Sequence, residues 1–389
     1  MSLPSRVAIV HDWLTGMRGG ERVLEELCRM FPDADIYTLI HVEGSVSDVI
    51  ASHRIIPSRI QKLPKSWVLY RYFLPLFPAN IESFELGDYE LVISSSHCVA
   101  KGVRTPPRTL NICYCYTPMR YAWDLAHTYF ERARMRKLLK KLIPFALNIL
   151  RMWDVYSTQR VDEMVAISNH IARRIRKYFR RDCRVIYPPV DCKRFLGVPK
   201  EGDYYLTVSA PAPYKRLDII IDAFKRLGRR LVIVGTSEKD LRWMGKLPDN
   251  IEIAGWVSDE ELIGLYLGAR AFVFSAEEDF GIAPVEAQAA GKPVIAFGRG
   301  GALETVKGLW PTGSVEEDRR KVTEDGLTGV FFKEQTSSAL VDAVKYFERL
   351  EDAFDINAIR AQALRFDRGM FRLNFLRLVE ERWEASQKD

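Results

Sequence analysis

Two carboxylates, Glu278 and Glu286, are separated by seven residues and follow the apolar run Ala271–Phe274. The run reads as a strand and Ser275-Ala-Glu-Glu-Asp as its exit loop, while Pro284 fits the first turn of a helix. Glu278 then stands on the loop and Glu286 just inside the helix. There, one carboxylate can meet sugar hydroxyls and the other can accept from a ribose diol. Carboxylates at a helix start are also ordinary partners of the helix dipole, and the spacing leaves both readings open. Lys215 and Arg216 follow a second apolar run, Tyr205–Val208, in a loop that starts at Ser209 and is stiffened by Pro211 and Pro213. A cation fixed at the carboxyl end of a strand can neutralise a departing diphosphate. The alternative is a solvated basic pair at a helix start, a place where the dipole repels cations.

Two glycine-rich turns could hold phosphate. Gly16, Gly19 and Gly20 lie between the run Arg6–Val10 and a helical pattern over Glu21–Met30. Gly298, Gly300 and Gly301 lie between Pro293–Ala296 and Ala302–Lys307. Glycine lets backbone approach a ligand, and helix-start N–H groups carry partial positive charge. Glycines that merely close tight turns are the other reading. Gly298-x-Gly300 also begins a dinucleotide fingerprint, but Leu303 stands where the third glycine belongs and no acid ends the next strand, which excludes a nicotinamide cofactor. The six cysteines include no Cys-x-x-Cys pair and no zinc spacing, so buried free thiols are expected. No Asp-x-Asp pair of the sort that holds a metal beside a sugar nucleotide is read, and no metal is expected.

These residues need parallel sheets to position them. Short apolar runs alternate with helical patterns along all 389 residues, the mark of βαβ units, and the length suits two domains. Expected early strands are 6–10, 36–39, 91–93, 110–114, 164–167 and 184–187. Later ones are 205–208, 231–234, 251–254, 271–274 and 293–296. Ser258 and Glu261 form a capping box ahead of a helix. Pro188-Pro189 cannot continue a ladder, which places the linker there. The expected division is 1–187, 188–365 and a helix over 366–389 that returns to the first domain. The first ten residues read as a strand and not as a secretion leader, and no run approaches the ~20 apolar residues needed to span a bilayer.

Taken together, the motifs resemble the family 4 glycosyltransferases, whose fold is GT-B. The resemblance rests on Glu278-Asp-Phe-Gly-Ile-Ala-Pro-Val-Glu286, Gly300-Gly-Ala-Leu-Glu304, Gly19-Gly-Glu-Arg-Val-Leu24, Pro188-Pro-Val-Asp191 and Gly255-Trp-Val257. It implies two facing Rossmann-like domains with the site in the cleft between them, and retention of anomeric configuration. It also implies roles: Lys215 on the donor diphosphate with Arg216 and Ser209 beside it, Glu286 on the ribose, and Glu278 on the sugar hydroxyls. Gly19 and Gly20 would face the phosphates and Trp256 and Val257 the base. Phe280, Gly281 and Ile282 would line the donor site. A narrower similarity is to bacterial mannosyltransferases of surface-polysaccharide assembly. It rests on Ser94-Ser-Ser-His97-Cys-Val-Ala-Lys101-Gly102, Thr117-Pro-Met-Arg120-Tyr-Ala-Trp123-Asp124 and Pro213-Tyr-Lys-Arg216. It implies GDP-mannose as co-substrate, His97 and Tyr116 at the catalytic centre, and Arg120, Tyr121, Trp123 and Asp124 on the acceptor side. Two positions depart from the family pattern: Ala210 stands where arginine is usual, and Tyr116 where histidine is usual.

Charge adds a partner. Residues 131–185 carry 15 Lys and Arg against five Asp and Glu, a local +10 in a chain of net +6. Within this block, 132–151 mixes cations with Leu, Ile and Met, as in a helix lying on anionic lipid, or in one packed on a sheet with a solvated outer face. Trp67–Phe77 either lines an acceptor groove or covers the core. A glycan or lipid-linked acceptor, a peripheral place at the inner face of the cell membrane and no nucleic-acid partner are expected. The rival functions are a UDP-sugar-dependent transferase, a silent nucleotide-sugar-binding subunit and a sugar-nucleotide epimerase.

Overall fold

The computed structural model describes residues 3–120, 122–124, 137–200 and 202–388. Tyr121 and residues 132–136 of the basic segment lie outside the described residues. The chain divides into two compact units, Met1–Pro189 with Phe371–Asp389, and Val190–Met370.

In the first unit the strands are β1 (Val7–His11), β2 (Asp35–Thr38), β3 (Ile55–Pro57), β4 (Leu91–Ser96), β5 (Leu110–Cys115), β6 (Glu163–Ala166) and β7 (Arg184–Val185). They form a parallel sheet in the order β3-β2-β1-β4-β5-β6-β7. Every residue of β1, β4 and β5 is buried, which is why these stretches read as continuous apolar runs and not as alternations. The second unit repeats the plan with β8 (Tyr204–Val208), β9 (Arg230–Val234), β10 (Ile251–Gly255), β11 (Ala271–Phe274), β12 (Val294–Phe297), β13 (Gly308–Leu309) and β14 (Gly329–Phe332). Its order is β10-β9-β8-β11-β12-β14-β13. Chain order reverses between β1 and β4 in one sheet and between β8 and β11 in the other. At such a reversal the exit loops diverge and leave a crevice beyond the strand ends.

Most expected strands are present within one or two residues of their bounds. Strands β3, β13 and β14 were not expected: β3 is three residues ending in proline, β13 is two residues, and only β14 carries an apolar run. The Ser258 capping box forms, with Ser258 N–H donating to Glu261 at 2.8 Å. The last helix is Arg368–Ser386, not 366 onward, because Phe366 accepts from the Val190 N–H at 2.9 Å. Phe371 and Phe375 set this helix against Tyr114 of the first unit, with ring centroids 5.7 and 6.1 Å away. All six cysteines are free, and five are buried.

One Asp-x-Asp does occur, Asp33-Ala34-Asp35. It opens β2 at the amino end, far along the strand from the exit loops, and Asp35 accepts from the Tyr89 hydroxyl and pairs with Arg54 at 3.7 Å. Trp67–Phe77 divides between the two readings of it. Tyr70 and Phe77 are buried in the core with Phe73 and Leu74 against them, whereas Trp67, Val68 and Tyr72 are exposed. No helix among the described residues is long and apolar enough to cross a membrane.

Candidate active site

In the second unit the exit loops of β8 and β11 are stitched together. Ser209 is clamped first: its carbonyl accepts from Thr236 Oγ1 at 2.6 Å and its N–H donates to Val234 at 2.9 Å. A 3-10 turn, Pro213–Lys215, follows, and Arg216 takes a left-handed φ of 53° to start the helix Leu217–Leu227. The Arg216 carbonyl accepts from Ser275 Oγ at 2.8 Å. The Arg216 guanidinium holds Asp218 and donates to Gln335 at 3.0 Å, and Gln335 in turn donates to the Ser275 carbonyl at 2.8 Å. Arg216 therefore ties loops together in this structure. Lys215 is aimed elsewhere: its ammonium meets the Glu278 carboxylate, with both side chains about one-fifth exposed (20% and 17%). Two residues 63 apart in sequence thus meet at the reversal between β8 and β11.

The glycines after β12 serve that loop. A Cβ on Gly300, whose φ is +64°, would fall 2.4 Å from the Glu278 carbonyl oxygen, and one on Gly301 would fall 2.3 Å from Phe280 Cα. The Gly301 N–H donates to the Glu278 carbonyl at 2.7 Å. Of the two readings of Gly298, Gly300 and Gly301, these contacts support close packing of the turn rather than a phosphate cradle. The following helix is only Ala302–Thr305, and the Gly301 amide is engaged with the Glu278 carbonyl. Gly298 has its own reason, since a Cβ there would enter the Trp310 ring.

Downstream of Glu278, Phe280 is buried on Phe366 with centroids 5.4 Å apart, and Gly281 turns the chain at φ +91° into the helix Ile282–Ala289. Glu286 on that helix is buried and accepts from the Tyr266 hydroxyl at 3.0 Å. Trp256 and Val257 follow β10, and Trp256 is 79% exposed.

In the first unit the corresponding reversal gathers a polar cluster. The helix begins at Gly19, not Glu21, so Gly19 and Gly20 lie in its first turn, where N–H groups have no carbonyl four residues back. Glu21 reaches back to the Arg18 N–H at 3.1 Å. Tyr116, after β5, donates to the Gly20 carbonyl at 3.0 Å and shares a 2.8 Å hydrogen bond with Ser95. Ser95 also meets His11 Nδ1 at 2.9 Å, and His11 Nε2 stands 3.9 Å from Glu21. Burial raises the Tyr116 hydroxyl far above its usual range, so the phenol stays neutral and acts as a hydrogen-bonding group.

His97, after β4, pairs through Nδ1 with Asp12 at 3.0 Å. Asp12 also accepts the backbone N–H groups of His97, Cys98, Val99 and Ala100 at 2.7–2.9 Å. Burial opposes the charge on Asp12, but the charge and hydrogen bonds of His97, with the charge of His11, outweigh it and hold the carboxyl well below its usual range. Glu21 is likewise lowered against burial, chiefly by neighbouring His11. Sequence reasoning picked His97 and Tyr116 but missed Asp12, His11 and Ser95. The available signal was position alone: all three stand at carboxyl ends of central strands.

The expected acceptor-side residues are anchored within the first unit. Trp123 stacks on Tyr178 at 4.5 Å and donates to buried Asp154 at 2.7 Å. Asp124 pairs with Arg174 and Tyr178. Arg120 is half-buried at the same turn. Trp67 walls an open hollow of about 420 Å³ with His41, Glu43, Pro57 and Gln61.

Two seven-stranded parallel sheets, each reversing its chain order at the centre, are the architecture of the GT-B fold. Residues 17–194 match the family described as Glycosyltransferase Family 4, and residues 192–361 match Glycosyl transferases group 1. The first half of the chain thus resembles a family 4 glycosyltransferase domain and the second half a group 1 glycosyltransferase domain. It is 25% identical to the O-antigen chain mannosyltransferase RfbU of Salmonella typhimurium, over 67% of each chain. It is 22% identical to the alpha-1,3/1,6-mannosyltransferase ALG2 of Kluyveromyces lactis, over 95% of this chain and 83% of that one. HepE of Anabaena, solved with UDP, superposes with a TM-score of 0.66 at 14% identity, over 97% of this chain and 100% of that one. The chain spans 46% and 61% of the length of the first curated relatives it matches.

Proposed function

We propose that this glycosyltransferase is a retaining enzyme that moves mannose from GDP-mannose to a glycan or lipid-linked acceptor. It works without a metal ion at the inner face of the cell membrane, in surface-polysaccharide synthesis. The observation that carries the reading is the Lys215–Glu278 contact at the reversal of the second sheet. Donor binding exchanges that contact for two others: the Lys215 ammonium turns to the diphosphate and the Glu278 carboxylate to the mannose hydroxyls. The mannosyltransferase relatives support the sugar. Glu286, already oriented by Tyr266, accepts from the ribose diol. Fixed positive charge does the work of a metal, since the Lys215 ammonium offsets the charge that grows on the leaving diphosphate.

In the reaction the bond between the anomeric carbon and the diphosphate oxygen breaks, and the electron pair leaves with the diphosphate. The acceptor hydroxyl bonds to the anomeric carbon on the same face and passes its proton to the diphosphate. His97, oriented by Asp12 through Nδ1, offers Nε2 to a substrate hydroxyl. Tyr116 holds a neutral hydroxyl at the position where the family pattern has histidine.

The test is product analysis with purified protein and GDP-mannose. GDP release is expected even without acceptor, slowly, and is lost in Lys215→Ala and Glu278→Ala. Turnover of UDP-sugars but not of GDP-mannose overturns the donor. Release that is unchanged in both variants overturns the site.

A further inference from the structure

The helix Lys137–Ser157 shows solvent a face that its sequence does not make polar. Phe145, Ile149, Met152 and Tyr156 recur at intervals of four, three and four, so they share one side. They are 68%, 46%, 60% and 64% exposed. The opposite side is packed: Leu147 and Leu150 are buried against Ile143 and Leu74. Asp154 also faces inward, onto the buried ammonium of Lys101. A helix resting on a sheet with a solvated outer face would carry charge at these four outer positions.

The contact with Leu74 joins this helix to the stretch that holds Trp67, Val68, Tyr72 and Leu76, all exposed as well. Single exposed apolar residues are ordinary, but eight on two touching segments mark a surface that is covered in use.

Charge indicates by what. From residue 137 to 153 the chain carries Lys137, Lys140, Lys141 and Arg151 and no Asp or Glu. From 49 to 81 it carries Arg54, Arg59, Lys62, Lys65 and Arg71, again with no acid. The one acid within Lys137–Ser157, Asp154, is turned inward onto Lys101, so the outer apolar side chains are bordered in sequence by cations and this single inward acid. An anionic bilayer matches both properties at once: the acyl boundary takes the apolar face and the headgroups take the cations.

We infer that the outer face of helix Lys137–Ser157, with Trp67–Leu76 beside it, is a docking surface that lies in the interface of an anionic phospholipid bilayer. The inference deepens the proposed reading, in which a lipid-linked acceptor gives such a surface its purpose. Vesicle binding needs neither donor nor acceptor, so the two fail separately.

The test is co-sedimentation of the full chain with vesicles of phosphatidylcholine alone and of equal parts phosphatidylcholine and phosphatidylglycerol. The protein is expected to pellet with the mixed vesicles, not with phosphatidylcholine, and to be released by high salt. Phe145→Ser with Met152→Ser removes two outer side chains without touching the core, so the thermal midpoint should hold while partitioning falls at least about tenfold. Lys140→Ala with Lys141→Ala should weaken it by about fivefold for each charge. Wild-type protein that stays in the supernatant overturns the inference, as does a Phe145/Met152 variant that binds like wild type. Dimerisation without lipid, abolished by the same pair of substitutions, overturns it in favour of a second copy on this face.

Discussion

Gly301→Ala tests how the Glu278 loop is held. Gly301 has φ −67° and ψ −20°, values open to any residue, so alanine brings no backbone strain. The obstacle is contact alone: the new Cβ would lie 2.3 Å from Phe280 Cα and 2.3 Å from its carbonyl oxygen. Both are backbone atoms, so no rotamer change relieves the clash and the 278–280 segment must move. Overpacking of this kind costs about 1–3 kcal/mol. For a unit the size of Val190–Met370 that is a fall of roughly 3–10 °C in Tm. Gly264→Ala is the matched control. Gly264 lies within the helix Asp259–Gly268 and nothing stands within 4 Å of its added Cβ. There alanine removes backbone entropy from the unfolded chain and should raise stability by about 0.5–1 kcal/mol. The assay is calorimetry on ligand-free protein, so that phosphate binding cannot contribute. Opposite signs for the two Gly→Ala changes are expected. A Gly301→Ala protein with wild-type Tm refutes the packing argument and restores the phosphate-cradle reading of these glycines.

Asp12→Asn keeps the shape but cannot accept four N–H groups or balance His97, and should lower stability by about 2–3 kcal/mol at neutral pH. The folded carboxyl lies below its usual 3.8, so this contribution is complete above that pH and fades as pH falls below it. Urea titrations of wild type and variant should therefore converge in acid, and a constant gap from neutral pH into acid would contradict the assignment. Lys101→Met leaves Asp154 buried without its ammonium, with side chains 1% and 0% exposed, and should cost about 3–5 kcal/mol by chemical denaturation. A loss below about 1 kcal/mol would place the pair in water.

How much of this was legible depended on how local the signal was. Buried parallel strands announce themselves as apolar runs, and Pro188-Pro189 interrupts such a run, so the two-sheet plan could be read directly. Lys215 was marked by the stiff loop after a strong strand and Glu278 by a spacing to which the family resemblance gave meaning, yet their contact spans 63 residues and depends on β8 and β11 being neighbours, which no local pattern encodes. Asp12 was missed because one acid after a strand looks like any turn residue, and only folding brings four N–H groups around it. The Gly300–Gly301 pair stayed ambiguous because a close approach of two backbones and a ligand cradle demand the same residue. The outer face of helix Lys137–Ser157 was half seen: the cations were visible, but which apolar residues face outward follows only once Leu147 and Leu150 are known to be buried.

The central claim is that Lys215, held against Glu278, is the cation that receives a nucleoside diphosphate. Calorimetric titration with GDP, set beside UDP, measures this without any acceptor. GDP should bind wild type, UDP should bind at least about tenfold more weakly, and Lys215→Ala should lose GDP binding while keeping its native Tm. Equal GDP affinity in wild type and Lys215→Ala would contradict the account.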